Sequence, residues 1–517
     1  MGICFAHLPP ADANAPEVDA ATGFAFPSLH LTAAVHPFEQ PRNYWHSGTA
    51  TLTGSFADAA VRLRGRGNST WANRDKRPLR LRFDTPHALI GMTPHRDWIL
   101  LANHFDPTLL RNHAAFHLSG LLGTLLYTPR SMFVHLYVNG EYLGVYEITD
   151  ERDNERAGLQ FHRDPARSDF FFELDAHLTH RTDEDFIRLA GRYYQLRLPP
   201  SSQWNGHLTY LEAFISRADA AIRAQDYRAI RAVLDMPSFI DFFLINEWMK
   251  NQDISAYSVF MTLRGAGDAR RIHFGPVWDF DHSAGNMLHH APPQYLHAGA
   301  HNSWFAYLLG VPEIFAQVRA RWNILYTQYL PATLAHIQHT AARYYADFAR
   351  NFARHDFLGT PITPTHAEVY TLLSFDAHVH FLLDYLTDRA NWLHAYFNGL
   401  PLPEIFILQD RDYEAAQASF RTHYIRRNLP HFPHTEIRRN GRPIYLHEPV
   451  RLVMGQNFIS LDAIYVLFSR IIENPADQPN AIVLEYTVYL PIAPLADAFG
   501  YEIHRVSGEH WLDLRER

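Results

Sequence analysis

The sequence predicts an α+β fold: a β-rich lobe comes first, a helical lobe follows, and a small β-rich accessory domain ends the chain. Three observations predict it. Short alternating apolar runs with glycine turns occupy residues 26–205, long amphipathic or apolar stretches occupy residues 206–399, and strand patterning returns over residues 432–517. Residues 1–25 are rich in proline and alanine without periodicity, which indicates a disordered lead-in. The stretch 400–431 is interpreted as a linker.

The clearest element of the first lobe is a hairpin. Alternating runs at Met132–Val138 and Glu141–Ile148 flank Asn139-Gly140, and these two residues accept the positive φ that a tight hairpin turn requires. Upstream alternation predicts further strands at Leu29–Val35, Thr49–Thr53, Ala59–Leu63 and Leu79–Phe83.

Helical patterns supply the second lobe and one element of the first. In the first lobe, Asp106 and Pro107 predict a helix start, because aspartate caps helices and proline is tolerated at the first helical position. Apolar periodicity in the second lobe predicts helices at Leu211–Leu234, Pro237–Gln252, Pro312–Phe352 and Thr365–Phe397.

One hairpin inside the helical lobe organises the chain. The β-like runs Ala256–Leu263 and Arg271–Trp278 flank the glycine-containing turn Arg264–Asp268. Asp253 precedes the first run and Asp279 follows the second. Because a tight hairpin returns the chain to its start, we expect both acids at the same end of the sheet.

Two acidic positions in this order fit phosphoryl transfer. That chemistry needs one carboxylate to orient the acceptor hydroxyl and another to hold the Mg²⁺ that neutralises nucleotide phosphates. Protein kinases place a catalytic aspartate, a hairpin and Asp-Phe-Gly in the same order, and here Asp279-Phe280-Asp281 occupies the last place. The alternative interpretation is a solvated loop acid and a turn acid without catalytic function.

Basic residues upstream could bind phosphates. Of the 46 lysines and arginines only two are lysines, Lys76 and Lys250. Since the chain otherwise uses arginine, a retained lysine indicates a site that the broader guanidinium of arginine cannot fill. The loop Arg64–Asn68 combines small residues with arginines, which favours a phosphate cradle formed by backbone N–H groups. A basic surface turn is the alternative interpretation.

Composition narrows the classes of partner. The net charge of −8 argues against a nucleic-acid-binding surface. No run approaches the roughly 18 apolar residues of a membrane span. The N-terminal residues lack the pattern of a signal peptide, and the single cysteine, Cys4, excludes an intramolecular disulfide.

Six ordered blocks resemble the spore-coat CotH kinase family: RGRGNSTW, KRPLRLRF, LLANHFDPTLLRN, FVHLYVNGEYLGVYEITDE, NEWMKNQD and FGPVWDFDHSAG. The resemblance covers roughly residues 27–395. It implies a two-lobed, atypical protein-kinase-like fold that binds ATP and Mg²⁺ (or Mn²⁺). It also implies phosphorylation of serine or threonine on proteins of the spore coat or cell surface. Family relatives on fungal surfaces act as adhesins.

The resemblance also assigns catalytic and metal-binding positions. Asp253 matches the catalytic aspartate and Asp279 the metal-binding aspartate, with Asp281 as a further metal ligand. Ser258 departs from the kinase pattern, which places asparagine there as a second metal ligand. Since a serine hydroxyl is a weaker ligand, this departure affects metal stoichiometry and turnover.

A second group of positions is assigned to the nucleotide phosphates. Lys76 is the expected phosphate-binding lysine, and Glu147 or Glu151 is its expected acidic partner. The other phosphate-binding residues expected from the loop are Arg64, Arg66 and Asn68.

The tail resembles the β-rich domain at the N-terminus of some copper amine oxidases. The resemblance rests on NGRPI and the later VYLPIAPLADAFGYEI within residues 432–517. No copper-binding residues accompany these segments, so the resemblance implies attachment and not oxidation.

Two other functions are open at this point. The first is a surface or spore-coat binding protein with a vestigial kinase site, which Ser258 suggests. The second is a metal-dependent phosphodiesterase built on Asp279, Asp281, His282 and His289. The phosphodiesterase leaves Lys76 and Asp253 without a function.

Overall fold

The computed structural model describes residues 25–72, 76–151, 157–175, 186–190, 192–200, 206–255, 257–286, 292–359 and 372–401, together with eight strands between residues 434 and 516. Their architecture confirms the α+β class, with strands first and helices concentrated after residue 206. Within these ranges no helix is both long enough and apolar enough to cross a membrane.

The first seven strands form a closed barrel in the order β1-β2-β3-β4-β5-β7-β6. They are β1 Ser28–Ala33, β2 His46–Leu52, β3 Phe56–Gly65, β4 Leu79–His87, β5 His95–Leu101, β6 Ser131–Val138 and β7 Glu141–Asp150. The β1–β6 pair is parallel and closes the barrel. The predicted Asn139-Gly140 hairpin is confirmed, with φ of 51° and 83° at the two turn residues.

A second sheet of five antiparallel strands has the order β12-β11-β8-β10-β9. Its members are β8 Phe170–Leu174, β9 Phe186–Leu189, β10 Arg192–Leu198, β11 Val259–Arg264 and β12 Arg271–Phe274. The central hairpin is therefore confirmed, and β8 lies directly against β11.

Eleven helices are present in the described residues: α1 Ser69–Ala72, α2 Arg111–Leu122, α3 His207–Arg223, α4 Tyr227–Val233, α5 Met236–Met249, α6 Ala298–His301, α7 Ser303–Leu309, α8 Pro312–Ile324, α9 Leu330–Arg343, α10 Tyr345–Arg354 and α11 Phe375–Asn398. All but one residue of α5 is buried, which matches its apolar character on every side.

The predicted helices were wrong in extent: the helix predicted at Pro237–Gln252 ends at Met249, and the helix predicted at Thr365–Phe397 begins at Phe375. The stretch 211–234 is two helices, because the Asp226 carboxylate caps α4 by accepting the Ala229 N–H at 3.0 Å. The stretch 312–352 is interrupted by a π-helical turn, Leu325–Tyr329, and again at Tyr344. The helix expected at Pro107 begins at Arg111.

The tail strands form one eight-stranded sheet. They are β13 His434–Arg439, β14 Arg442–Ile444, β15 Val450–Val453, β16 Gln456–Ser460, β17 Ile482–Leu484, β18 Thr487–Pro491, β19 Tyr501–Arg505 and β20 Trp511–Glu516. Strand β13 pairs antiparallel with β14. The predicted linker from residue 402 to residue 431 and the predicted lead-in before Ala25 lie outside the described residues.

Candidate active site

Two loops carry the predicted acids, and backbone hydrogen bonds join them. The first loop follows α5 and places Asp253 in a 3₁₀ turn. The second follows β12 and carries Asp279 and Asp281. The Gln252 N–H donates to the His282 carbonyl at 3.3 Å, and the Ala284 N–H donates to the Met249 carbonyl at 2.6 Å. The acids therefore meet at one end of the hairpin, as its geometry predicts.

Two residues at this meeting point have backbone conformations that non-glycine residues rarely adopt. Ser258 has φ of 55° and Asp279 has φ of 66°. The Ser258 hydroxyl donates to Asp279 Oδ2 at 3.4 Å. Left-handed conformations of this kind persist only where surrounding contacts hold them.

The first turn of α2 holds the second acidic loop. Asn112 Oδ1 accepts the Phe280 N–H at 2.7 Å, between the two loop acids. The Arg111 guanidinium donates to the carbonyls of Ser283 and Ala284 at 2.9 and 3.1 Å. The positions of Asp279 and Asp281 therefore depend on a helix from the first part of the chain.

The Asp106 carboxylate anchors Arg111. It accepts the Arg111 backbone N–H at 2.8 Å, so it caps α2 from five residues upstream of the helix. It also pairs with the Arg111 guanidinium at 2.5 Å, with both side chains buried. This buried pair fixes the arginine that holds the loop.

The acids crowd one another in a partly buried space. Burial, and then repulsion from Asp279 and Asp281, raises the pKa of Asp253 well above its ordinary value. Burial, and then repulsion from Asp279 and Asp106, raises the pKa of Asp281 in the same way. Carboxylates arranged like this either keep protons or require a cation between them.

Strand β8 adds two acids that sequence reasoning did not select. Asp175 and Glu173 both contribute to the raised pKa of Asp253, so they lie near it. Glu173 is paired with Arg197, whose Nε lies 3.0 Å from Glu173 Oε2. The signal in the sequence for Asp175 is its place directly after the mostly apolar run Phe170–Leu174.

The residues fit a magnesium ion shared with a nucleotide. In the described parts of the chain, no three histidine, cysteine or carboxylate side chains are placed to hold a metal by themselves. Mg²⁺ at nucleotide sites usually takes one or two carboxylates, with phosphates and water completing its shell. Asp279 and Asp281 can supply those carboxylates, and their crowding favours a cation.

Three residues of the loop Arg64–Asn68 were predicted to bind the nucleotide phosphates, and of these only Arg66 lies near the acidic loops. Its guanidinium lies 5.6 Å from the Trp278 ring, and Asp279 contributes to its electrostatic surroundings. Arg64 donates to the Asn43 side chain at 3.0 Å. Asn68 accepts from Arg42 at 2.9 Å.

Lys76 lies fully buried beside the barrel strand β7. Its Nζ donates to the Val145 carbonyl at 2.6 Å and lies 5.1 Å from the Tyr146 ring. Burial lowers its pKa to about 7, against an opposing effect of Asp106. The structure brings neither Glu147 nor Glu151 into an ion pair with Lys76: Glu151 pairs with Arg80 at 3.2 Å.

A family model described as CotH kinase protein matches residues 63–393, which is more than half of the chain. The chain belongs to the CotH kinase protein family. The match includes both acidic loops and the α2 turn that holds them. No curated protein matches the chain. The tail lies outside the match, and its likeness to an amine oxidase domain stays a prediction.

Within the CotH kinase match, sequence reasoning missed Arg111 and Asn112. Both belong to the block LLANHFDPTLLRN, which supported the resemblance without suggesting a role. The phosphodiesterase alternative relies on His282, whose ring stacks on Phe105 at 5.0 Å and whose ring nitrogens are buried. His289 lies outside the described residues.

Glu147 supports the α2 turn through two asparagines. Its Oε2 accepts from Asn103 Nδ2 at 2.7 Å, and Asn103 Oδ1 accepts from Asn112 Nδ2 at 3.1 Å. Burial raises the pKa of Glu147 to about 7 from 4.5. The folded protein therefore binds this proton more tightly than the unfolded chain does.

Glu147→Gln should remove one pH-dependent contribution to stability. Because the folded pKa is raised, wild-type stability from this group is complete below about pH 4.5 and is lost as pH rises through about 7. Between these two pH values we expect the free energy of unfolding of the variant to rise relative to that of wild type by about 3 kcal/mol. Urea unfolding at several pH values measures this, and a pH-independent difference would contradict it.

Proposed function

We propose that this CotH-family chain transfers the γ-phosphoryl group of ATP to serine or threonine hydroxyls of a protein. The supporting observation is the convergence of Asp253, Asp279 and Asp281 on two bonded loops, with the Arg66 guanidinium beside them. Crowded carboxylates facing a fixed cation suit a site for phosphates and a metal.

Asp253 would orient the acceptor hydroxyl and take its proton. The hydroxyl oxygen then forms a bond to the γ-phosphorus while the bond to the bridging oxygen of ADP breaks. Burial raises the pKa of Asp253, so its carboxylate is a stronger proton acceptor than that of a solvent-exposed aspartate.

The remaining residues would bind and align the nucleotide. Asp279 and Asp281 would hold Mg²⁺ (or Mn²⁺), which when bound neutralises charge on the phosphate oxygens. Arg66 would contact the phosphates directly. Burial lowers the pKa of Lys76 to about 7, and Lys76 would contact a phosphate once its Nζ leaves the Val145 carbonyl.

Ser258 occupies the expected second metal position. Its hydroxyl is 3.4 Å from Asp279 Oδ2, so it lies beside the proposed metal site. The acceptor expected from the family is a spore-coat or cell-surface protein. A binding protein with a vestigial site is the alternative that Ser258 favours.

Asp279→Asn should remove the metal-dependent part of ATP binding, because it removes a charged Mg²⁺ ligand. Calorimetric titration with ATP, with and without Mg²⁺, measures this for wild type and variant. Asp268→Asn is the matched control, since Asp268 is exposed at the turn of the same hairpin. Labelled ATP then reports transfer.

Wild-type protein that binds no ATP with either metal would overturn the proposal and favour the binding protein. Binding that is unchanged in Asp279→Asn would remove Asp279 from the metal site.

A further inference from the structure

The outer face of the barrel carries a row of arginines that ends at the acidic loops. Side chains alternate along β3 and β4, so the arginines point outward while their apolar neighbours fill the barrel. Beyond the end of β3, Arg66 continues the row to Trp278. We call these residues the arginine track: Arg62, Arg64, Arg66, Arg80 and Arg82.

The track sets like charges directly opposite one another. Arg62 faces Arg82 and Arg64 faces Arg80 across the β3–β4 ladder, an arrangement that destabilises a sheet. Three of the guanidiniums lie over the Trp45 ring. The guanidinium carbons of Arg62, Arg64 and Arg82 are 5.6, 5.1 and 5.7 Å from its centroid. The barrel therefore displays concentrated positive charge around one aromatic ring.

The direct ion pairs of this charge are with the β4 arginines. Asp97 pairs with both β4 arginines, at 3.1 and 2.8 Å, and Glu151 pairs with Arg80 at 3.2 Å. Within the described residues, no carboxylate lies at ion-pair distance from Arg62 or Arg64, and Arg62 is exposed to solvent. Arg62 is therefore available to an external anion, and the half-buried Arg64 lies two residues along the same strand.

We propose that the arginine track binds an extended acidic segment of the protein that is phosphorylated. This inference rests on the proposed function, because it assigns the acceptor to acidic proteins. Alternate side chains of an extended peptide repeat about every 6.6 Å, as do Arg62 and Arg64 along β3. Carboxylates on such a peptide can each meet one planar guanidinium, and the row leads toward the acidic loops.

The chemistry favours a peptide over a nucleic acid. A protein of net charge −8 repels a long polyanion over most of its surface. A short acidic segment avoids this repulsion, because it contacts only the arginine track.

The test uses two fluorescein-labelled peptides of equal length, in which serine alternates with glutamate or with lysine. Fluorescence anisotropy measures their binding to the full chain without nucleotide. We expect the glutamate peptide to bind, with affinity falling as NaCl rises, and the lysine peptide to bind at least tenfold more weakly. Arg62→Gln with Arg82→Gln should weaken glutamate-peptide binding about threefold to tenfold. Arg231→Gln is the matched control, because Arg231 is an exposed arginine on an aromatic ring in α4.

ATP titrations on the same samples separate the two proposals. Equal binding of both peptides, or no loss in the double variant, would overturn the arginine track while ATP binding persists. Tighter binding of single-stranded DNA than of the glutamate peptide would also overturn it. If wild-type protein binds the acidic peptide but no ATP, the proposed function is overturned. The arginine track would then still be a surface that binds acidic segments.

Discussion

Asp253→Asn is expected to lower phosphoryl transfer by about 10²–10⁴-fold, while ATP and Mg²⁺ still bind. The asparagine amide cannot accept the hydroxyl proton, so the rate of the chemical step should fall. The metal site should remain, because Asp279 and Asp281 lie on the other loop and are held by α2. Removing one charge from the crowded acids should leave ATP affinity equal or slightly higher.

A transfer assay beside calorimetric ATP titration reads both quantities. Asp268→Asn, at the far end of the same hairpin, should change neither. An Asp253→Asn protein that transfers phosphate normally would remove this residue from catalysis. Equal losses of binding and transfer would instead make Asp253 a metal ligand.

Arg389→Met is expected to destabilise the fold by about 3–5 kcal/mol, because it leaves a buried carboxylate without its cation. Arg389 and Glu247 are both fully buried and paired, and they join α11 to α5. Glu247 also accepts the N–H groups of His297 and Gly299, at 2.5 and 2.8 Å. The loss is a large share of the stability of an ordinary protein.

Urea unfolding measures this loss where the variant is soluble. Arg231→Met is the surface control and should change stability by less than about 0.5 kcal/mol. Arg389→Lys keeps a cation and should therefore cost less than the methionine change. A methionine variant as stable as wild type would show that Glu247 is stabilised by its backbone donors alone.

Local chemistry made the two hairpins predictable. Asn139 and Gly140, and likewise Gly265 and Gly267, adopt the positive φ values that their residue types favour. Because the ends of a hairpin meet, the approach of the acids on either side of it was also predictable. Helix breaks were not predictable in this way: apolar periodicity continues across Asp226, although the chain turns at the left-handed Gln225 and the Asp226 cap begins the next helix.

The scarcity of lysine selected two positions whose environments only the structure revealed. Both ammonium groups are buried against carbonyls: Lys76 at the Val145 carbonyl and Lys250 at that of Pro292, at 2.6 and 2.7 Å. A compact ammonium fits such places where the broader guanidinium of arginine does not. Sequence pointed to the residues but not to carbonyls as their partners.

The sequence by itself determined the α+β class, both hairpins and the pair of acidic loops, because each depends on residues adjacent in the chain. Tertiary structure decided what fixes those acids. The bond from the Phe280 N–H to Asn112 joins residues 168 positions apart, and no periodicity or turn preference encodes such a pairing. It forms because folding packs α2 against the acidic loop, where a buried backbone N–H requires an acceptor.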